Sequence, residues 1–187
     1  LCIIDSRADH ADLTDEYAAV TLELKAVCKY FGKEVTTEIP EEDFYAAIPE
    51  LRKICTDRAI MRAIHEYNEN RRVPQQVSAL EAGDFDTFLR LTKESGYSSW
   101  MYLQNVIPAG YVNQQAMAVA LGLCEHYLQG RGAYRVHGGG FAGTVQAFVP
   151  MDMLEKFKAG IGKVLGEGSC HVLQIRPQGG VRMEAAE

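Results

Sequence analysis

The feature that most constrains this chain is a glycine-rich turn between two strand-like segments. Residues 138–143 read Gly-Gly-Gly-Phe-Ala-Gly, so four of six positions are glycine. Runs of β-branched and aromatic residues lie on either side, at 133–136 and 144–149. Glycine tolerates positive φ and carries no Cβ, which allows such a loop to press its backbone N–H groups against a ligand. An anion is the ligand that such a row of donors favours.

Three generic interpretations of this turn are open at first. Gly138, Gly140 and Gly143 satisfy the spacing of a dinucleotide-binding fingerprint, but that site needs a helix after the glycines and a strand-like run follows here. The His-Gly-Gly-Gly run from His137 resembles the oxyanion loop of lipases, yet the chain has no Gly-x-Ser-x-Gly elbow. The simplest interpretation is a tight turn that joins two antiparallel strands.

Length and composition narrow the class of protein. The chain has 187 residues, of which 47% are hydrophobic and 24% charged, and its net charge is −6. These values predict one globular domain with a true core. We find no basic patch with interleaved aromatics, no signal peptide and no apolar run near the roughly 20 residues that cross a bilayer. We therefore expect a cytoplasmic protein without nucleic-acid or membrane partners.

The cysteines and histidines indicate neither disulfides nor a metal centre. The five cysteines are odd in number and widely spaced, without a Cys-x-x-Cys pair, which is typical of reduced thiols. The five histidines do not cluster with them, so we expect no metal site. The chain begins on a strand-like run without Met, which predicts that it is the C-terminal piece of a longer protein.

Hydrophobic periodicity predicts the order of the elements. A short strand at 1–4 precedes a helix that ends at Gly32, a long helix over about 49–71 and a shorter one between Pro74 and Gly83. Asp84 is expected to cap the next helix, and 113–128 forms another. Strands at 133–136 and 144–149, a helix capped by Asp152 and a strand at 170–175 complete the chain. The order strand, helices, strand, strand, helix, strand predicts an α+β fold, with helices packed on a small antiparallel sheet.

These segments together resemble the C-terminal half of the galactokinases, within the GHMP superfamily of small-molecule kinases. The glycine block resembles the family's Arg-Met-Thr-Gly-Gly-Gly-Phe-Gly-Gly-Cys motif, with Arg135 and Phe141 in register. The opening resembles a family segment with Asp5-Ser6, His10, Leu13 and Tyr17 at matching positions. The resemblance implies that residues 1–187 are a single GHMP-type C-terminal domain, with the ATP- and sugar-binding half on a missing N-terminal segment.

The resemblance also implies a chemistry. It implies transfer of a phosphoryl group from ATP, with Mg²⁺, to the anomeric hydroxyl of galactose, a reaction in which protein groups mainly position and stabilise charge. Tyr17 would contact the sugar. The loop beside the substrate and phosphate path comprises His137, Gly138, Gly139, Gly140, Phe141, Ala142 and Gly143. His10 is a weaker candidate for a ligand contact. No metal ligand and no catalytic residue is expected in this chain.

Departures from the family pattern keep other functions open. Val136-His137 replaces Met-Thr, Thr144 replaces the cysteine, and Ser95-Gly96 replaces the family's Ser-His pair. The family's phosphate loop and catalytic aspartate belong to its N-terminal half, so we expect the chain alone to be inactive. The alternatives are another GHMP-type kinase and a non-catalytic protein that senses sugar and ATP. The surface that the N-terminal half would cover is expected to be apolar and to favour self-association.

Overall fold

The structure is a computed structural model that describes residues 1–8 and 13–182. The helices are α1 (Thr14–Tyr30), α2 (Glu41–Ile54), α3 (Asp57–Glu81), α4 (Phe85–Ser98), α5 (Ala116–Leu128) and α6 (Leu154–Leu165). The strands are β1 (Cys2–Asp5), β2 (Ala133–Val136), β3 (Thr144–Phe148) and β4 (Cys170–Val172). A π-helical turn, Ser99–Leu103, extends α4 directly. This order confirms the predicted α+β fold.

The four strands form one antiparallel sheet in the order β2-β3-β1-β4. The first strand of the chain therefore lies inside the sheet, between two strands from its last third. Ile4 stands opposite Val145 on one side and Cys170 on the other. Val136 pairs with Val145, so the turn between β2 and β3 opens at the same end of the sheet where β1 ends. This placement brings the start of the chain to the glycine loop, which we define as residues 137–143.

The described residues form two main hydrophobic cores. The first lies between the sheet and helices α5 and α6 and contains Ile4, Val145, Cys124, Leu128 and Phe157, among others. The second lies within α1, α2 and α3 and contains Val27, Phe44, Leu51, Ile60 and Ala63. A small third cluster joins Leu13, at the start of α1, to Phe141 and Ala142 of the loop. The loop is thus attached to both the helical and the sheet part of the domain.

The predicted helix over 49–71 was wrong at its start. Pro49 lies inside α2, which ends at Ile54, and α3 begins at Asp57 because Thr56 caps it by accepting a hydrogen bond from the Ala59 amide at 3.1 Å. Pro74 was also wrong as a boundary, because α3 runs through it to Glu81. Both prolines lie on exposed positions, where water can satisfy the carbonyl that each leaves without its helical donor.

Of four other boundary predictions, one is confirmed and three are corrected. Asp84 caps α4 as expected, accepting from the Thr87 amide at 3.0 Å. Asp152 does not cap a helix: it lies in a 3₁₀ turn, and its carboxylate pairs with Arg131 at 2.7 Å. Helix α5 begins at Ala116 rather than at 113, and β4 ends at Val172 rather than at 175.

Candidate functional site

The glycine loop emerges where β2 and β3 part. The amide of His137 donates to the carbonyl of Thr144 at 3.0 Å, which closes the strand pair and sets the two ends of the loop side by side. His137 itself is exposed, and its Nδ1 lies 3.0 Å from the Thr144 hydroxyl. Tyr17, on the first turn of α1, reaches the loop from above. The structure therefore brings together every residue that the sequence placed at the loop. His10 lies outside the described residues.

The loop consists of two unlike halves. Residues 137–139, the open half, are exposed to solvent. Residues 140–143, the anchored half, are buried except for the partly buried Gly143, and the side chains of Phe141 and Ala142 are only 2% and 3% exposed. The loop therefore presents one half to a ligand and commits the other to the protein interior.

Asn105 is the principal anchor. Its backbone carbonyl accepts a hydrogen bond from the Phe141 amide at 2.5 Å, and its side-chain Nδ2 donates to the Gly139 carbonyl at 3.1 Å. The residue is 1% exposed, and its Oδ1 is buried without a hydrogen-bond partner among the described residues. Asn105 follows the π-helical turn, after Gln104 in a left-handed conformation. That turn aims Asn105 at the junction of the two halves.

Two further residues hold the anchored half. Ser6, just beyond β1, donates to the Gly143 carbonyl through its amide at 2.9 Å and through its hydroxyl at 2.6 Å. The hydroxyl of Tyr17 donates to the Gly140 carbonyl at 2.8 Å. The ring of Tyr17 also meets that of Phe141 edge to face, with the centroids 5.3 Å apart. Three separate segments of the chain thus converge on four loop residues.

Backbone geometry explains why glycine occupies these positions. Gly140 has φ +81°, and a Cβ there would lie 2.1 Å from the Asn105 carbonyl oxygen, far inside contact distance. Gly139 leaves room for Tyr17, whose ring would lie 2.9 Å from an added Cβ. Phe141 has φ +60°, an unfavourable region for a bulky residue, and its buried ring holds it there.

The open half presents backbone donors to solvent. Within the part of the chain that the structure describes, no group accepts a hydrogen bond from the amide of Gly138 or Gly139. Gly138 has φ +70°, and a Cβ added to it would meet nothing within 4 Å. Exposed, adjacent N–H groups on left-handed turns are a common arrangement for binding anions. This half of the loop can therefore donate to the oxygens of a phosphate.

Arg135 supports the loop from below rather than facing a ligand. Its guanidinium donates to Ser95 Oγ at 2.5 Å and to the Val136 carbonyl at 3.0 Å, and lies 4.0 Å from Glu69. Burial lowers the pKa of the Arg135 guanidinium, and Glu69 opposes that shift. The residue thus ties β2 to α3 and α4 directly beneath the loop.

A cavity of about 650 Å³ opens on the other side of Phe141. Its walls include Arg7, Leu13, Tyr111 and Met117, and the first turn of α5 borders it. Arg7 is itself paired with Asp5 at 2.9 Å. Because Phe141 lines this cavity, open space lies directly beside the anchored half of the glycine loop.

Sequence reasoning missed two residues of the site. Asn105 lies in a stretch without a recognisable pattern, and only the fold shows that it meets the loop. Ser6 was quoted as part of the opening motif but was given no role. No local signal marks the Ser6 contact, because its hydroxyl bonds to a carbonyl 137 residues away in sequence. No local signal marks Asn105 either.

Comparison with known proteins adds to this geometry. No family model matches the chain. The galactokinase of Thermotoga neapolitana is 30% identical over 83% of the chain, and that of Glaesserella parasuis serovar 5 is 29% identical over 84%. The crystal structure of Lactococcus lactis galactokinase complexed with galactose superposes with a TM-score of 0.65 at 25% identity, covering 88% of the chain.

These similarities support a C-terminal domain of the galactokinase type. The chain's resemblance to the GHMP kinases, inferred from the loop motif, is confirmed. The galactokinase-type domain spans about two fifths of its relatives: 39% of the Glaesserella protein and 40% of the Thermotoga and Lactococcus proteins. Among the described residues, no helix is long and apolar enough to cross a membrane.

Proposed function

We propose that the full-length protein containing this domain is a sugar kinase, which transfers the γ-phosphate of ATP to the anomeric hydroxyl of galactose. The observation that carries the proposal is the open half of the glycine loop, in which Gly138 and Gly139 are exposed and no described residue accepts a hydrogen bond from their amides. Similarity to galactokinases, one of them solved with galactose, supports the choice of sugar.

The open half would act on the phosphoryl group. Phosphoryl transfer is promoted mainly by positioning and by stabilising charge on the transferred oxygens. The Gly138 and Gly139 amides supply neutral donors, and the Asn105 hydrogen bond to the Gly139 carbonyl holds the end of the open half in place before a ligand arrives. Donors that are already oriented need no reorganisation as charge develops. We infer that these amides face the transferred phosphate.

Tyr17 would lie on the sugar side of the loop. Its ring packs on Gly139 and Phe141, and its hydroxyl holds the Gly140 carbonyl. Tyr17 is 36% exposed, so part of the side chain faces the solvent from which a sugar arrives. We propose that it contacts galactose while it keeps the loop in place.

Mg²⁺ would neutralise charge on the ATP phosphates when bound. The described residues contain no group of three or more acidic, histidine or cysteine side chains arranged to hold a metal ion. We therefore assign the ion to no residue of this chain and derive no step through it. We further propose that the 187-residue chain alone does not phosphorylate sugar, since the resemblance implies a phosphate loop and a catalytic aspartate in an N-terminal half outside this chain.

A coupled assay of the full-length protein with Mg·ATP tests this proposal. We expect turnover with galactose to exceed turnover with other hexoses, and no turnover by the 187-residue chain. Absence of turnover with every sugar, for protein shown to be folded by circular dichroism, would contradict the kinase. Turnover by the isolated chain would contradict the proposal that the catalytic groups lie outside it.

One observation favours a second candidate, a non-catalytic protein that binds sugar and ATP. Gly96 stands where the family pattern has histidine, and the structure allows no side chain there: a Cβ would lie 2.9 Å from Cβ of Arg135. The departure is thus built into the packing of α4 on β2. Calorimetry that detects galactose binding by a full-length protein without turnover would favour this candidate.

A further inference from the structure

Three of the five cysteines meet where β1 joins β4. In that pair Cys2 stands opposite Val172, and Ile4 stands opposite Cys170. Side chains two residues apart on a strand share a face, so Cys2 and Cys170 point to the same side of the sheet as diagonal neighbours. Cys124 of α5 packs in the same core. The chain therefore places two thiols side by side although 167 residues separate them in sequence.

The two thiols interact directly. The neighbouring Cys170 thiol, and to a smaller extent the ammonium group at Leu1, lower the pKa of Cys2 to about 7 against the effect of burial, while the Cys2 sulfur and burial raise the pKa of Cys170. The ammonium group of Lys158 acts in the lowering direction on both. Near neutral pH part of the population therefore holds one proton shared between the two sulfurs, and a thiolate is the form that reacts with disulfides.

Access to the pair is from one side. Cys2 is 1% exposed, whereas Cys170 is half-buried and lines an open cavity of about 420 Å³ together with Lys158 and Glu155. A reagent of the size of a tripeptide can reach Cys170 through this cavity, and Cys2 lies behind it. The arrangement matches an attacking thiol with a second thiol ready to resolve the intermediate.

Each of the other three thiols lacks either access from solvent or a neighbour that lowers its pKa. Cys124 is fully buried, and burial raises its pKa to about 12. Burial also raises the pKa of Cys28 and that of the half-buried Cys55. Cys55 thus has access without an activating neighbour, which makes it the matched control.

We propose that Cys2 and Cys170 are a site of reversible oxidation, which a small-molecule disulfide such as oxidised glutathione converts into an intrachain disulfide. The shared proton passes to Cys2, and the Cys170 thiolate attacks one sulfur of the oxidant and releases its first thiol. Cys2 then loses its proton, attacks the Cys170 sulfur and releases the second thiol. Two protein thiols are oxidised, and the oxidant's disulfide is reduced to two thiols.

The sheet can accommodate this bond with a small adjustment. Diagonal neighbours have Cα atoms about 7–8 Å apart, slightly beyond the roughly 4.4–6.8 Å that disulfides span. Strand β4 has three residues and lies at the edge of the sheet, with β1 as its one neighbour. A shift of β4 toward Cys2 therefore breaks no second strand pairing. The bond would fasten β4 to the strand that leads directly to Ser6 and the glycine loop.

The experiment treats the 187-residue chain with oxidised glutathione at pH 7, quenches with acid, alkylates the remaining thiols and measures intact and peptide masses. We expect the wild-type chain to lose two thiols and two hydrogen masses, with the bond mapped to Cys2–Cys170 and reversed by dithiothreitol. Cys2→Ala should retain glutathione on Cys170, and Cys170→Ser should form neither product. Cys55→Ser should behave like the wild type.

Other outcomes would overturn the proposal. These are a persistent glutathione adduct on wild-type Cys170, a bond through Cys124, or oxidation of Cys170→Ser at the wild-type rate. Circular dichroism before oxidation verifies that each variant is folded. If Cys2→Ala is unfolded, Cys2→Ser takes its place, with the same expected adduct on Cys170. The readout requires no kinase activity, so it is independent of the proposed function.

Discussion

The open and anchored halves of the glycine loop are adjacent in sequence but differ in every physical respect. Residues 140–143 are fixed by Asn105, Ser6 and Tyr17, and at Gly140 the packing leaves no space for a Cβ. Residues 137–139 are exposed, and no described residue accepts a hydrogen bond from the amide of Gly138 or Gly139. The difference teaches that glycine serves two purposes within one motif: close packing in one half and ligand access in the other.

The largest effect is expected at the anchored half. Gly140→Ala would force a Cβ against the Asn105 carbonyl at a φ of +81°. The positive φ and the overlap together should lower the free energy of unfolding by roughly 3 kcal/mol or more. Urea denaturation measures it. A loss below about 1 kcal/mol, the cost of the positive φ alone, would contradict the tight packing described here.

The next largest effect is expected at the residue that joins the halves. Asn105→Asp has the same shape but replaces the donor to the Gly139 carbonyl with a buried acceptor, which should cost about 3 kcal/mol at pH 7. Burial raises the pKa of the new carboxyl group, so stability is gained as the pH falls and the protonated group again donates. Asn105→Leu is the control without this pH dependence. Equal pH profiles of the two variants would contradict the contact.

A smaller effect is expected at Tyr17. Tyr17→Phe removes the hydrogen bond to the Gly140 carbonyl but keeps the ring contacts with Gly139 and Phe141. The loss of stability should be about 1 kcal/mol, measured by thermal or urea unfolding. Tyr30→Phe, at an exposed position of the same helix, is the matched control and should be neutral. An equal effect in both variants would remove Tyr17 from the anchoring set.

The sequence predicted the strands that flank the glycine loop better than the helices that surround it. The predicted bounds of β2 match the structure, and the predicted β3 was one residue too long at its end. Both strands were recognisable because strand-forming residues flank a glycine-rich turn. The helix boundaries near Pro49 and Pro74 were wrong, since Pro49 was taken as the start of a helix and Pro74 as a break, whereas both lie on exposed faces inside helices. Local propensity does not locate the start of α3, which the Thr56 cap sets.

Asn105 shows why the rest of the site could not be predicted from the sequence. Its role depends on a π-helical turn and a left-handed Gln104, which together aim one side chain at a loop 34 residues away. Neither feature has a periodic signature, and the contact is purely tertiary. Phe141 likewise occupies a strained backbone conformation that only its burial explains. Contacts between distant segments, rather than local pattern, set the geometry of the site.

The central claim is that the open half of the loop faces the transferred phosphate, and Gly138 tests it most directly. Gly138 and Gly83 both have φ +70° and open space around an added Cβ, so alanine at either should cost the same stability, about 1 kcal/mol. Only Gly138 lies on the loop. We would measure kcat/KM for galactose and Mg·ATP in the full-length protein with Gly138→Ala or Gly83→Ala. The account predicts a loss of at least about tenfold for Gly138→Ala, equivalent to one lost charged hydrogen bond, with Gly83→Ala at wild-type level. Equal kcat/KM for the two variants would contradict it.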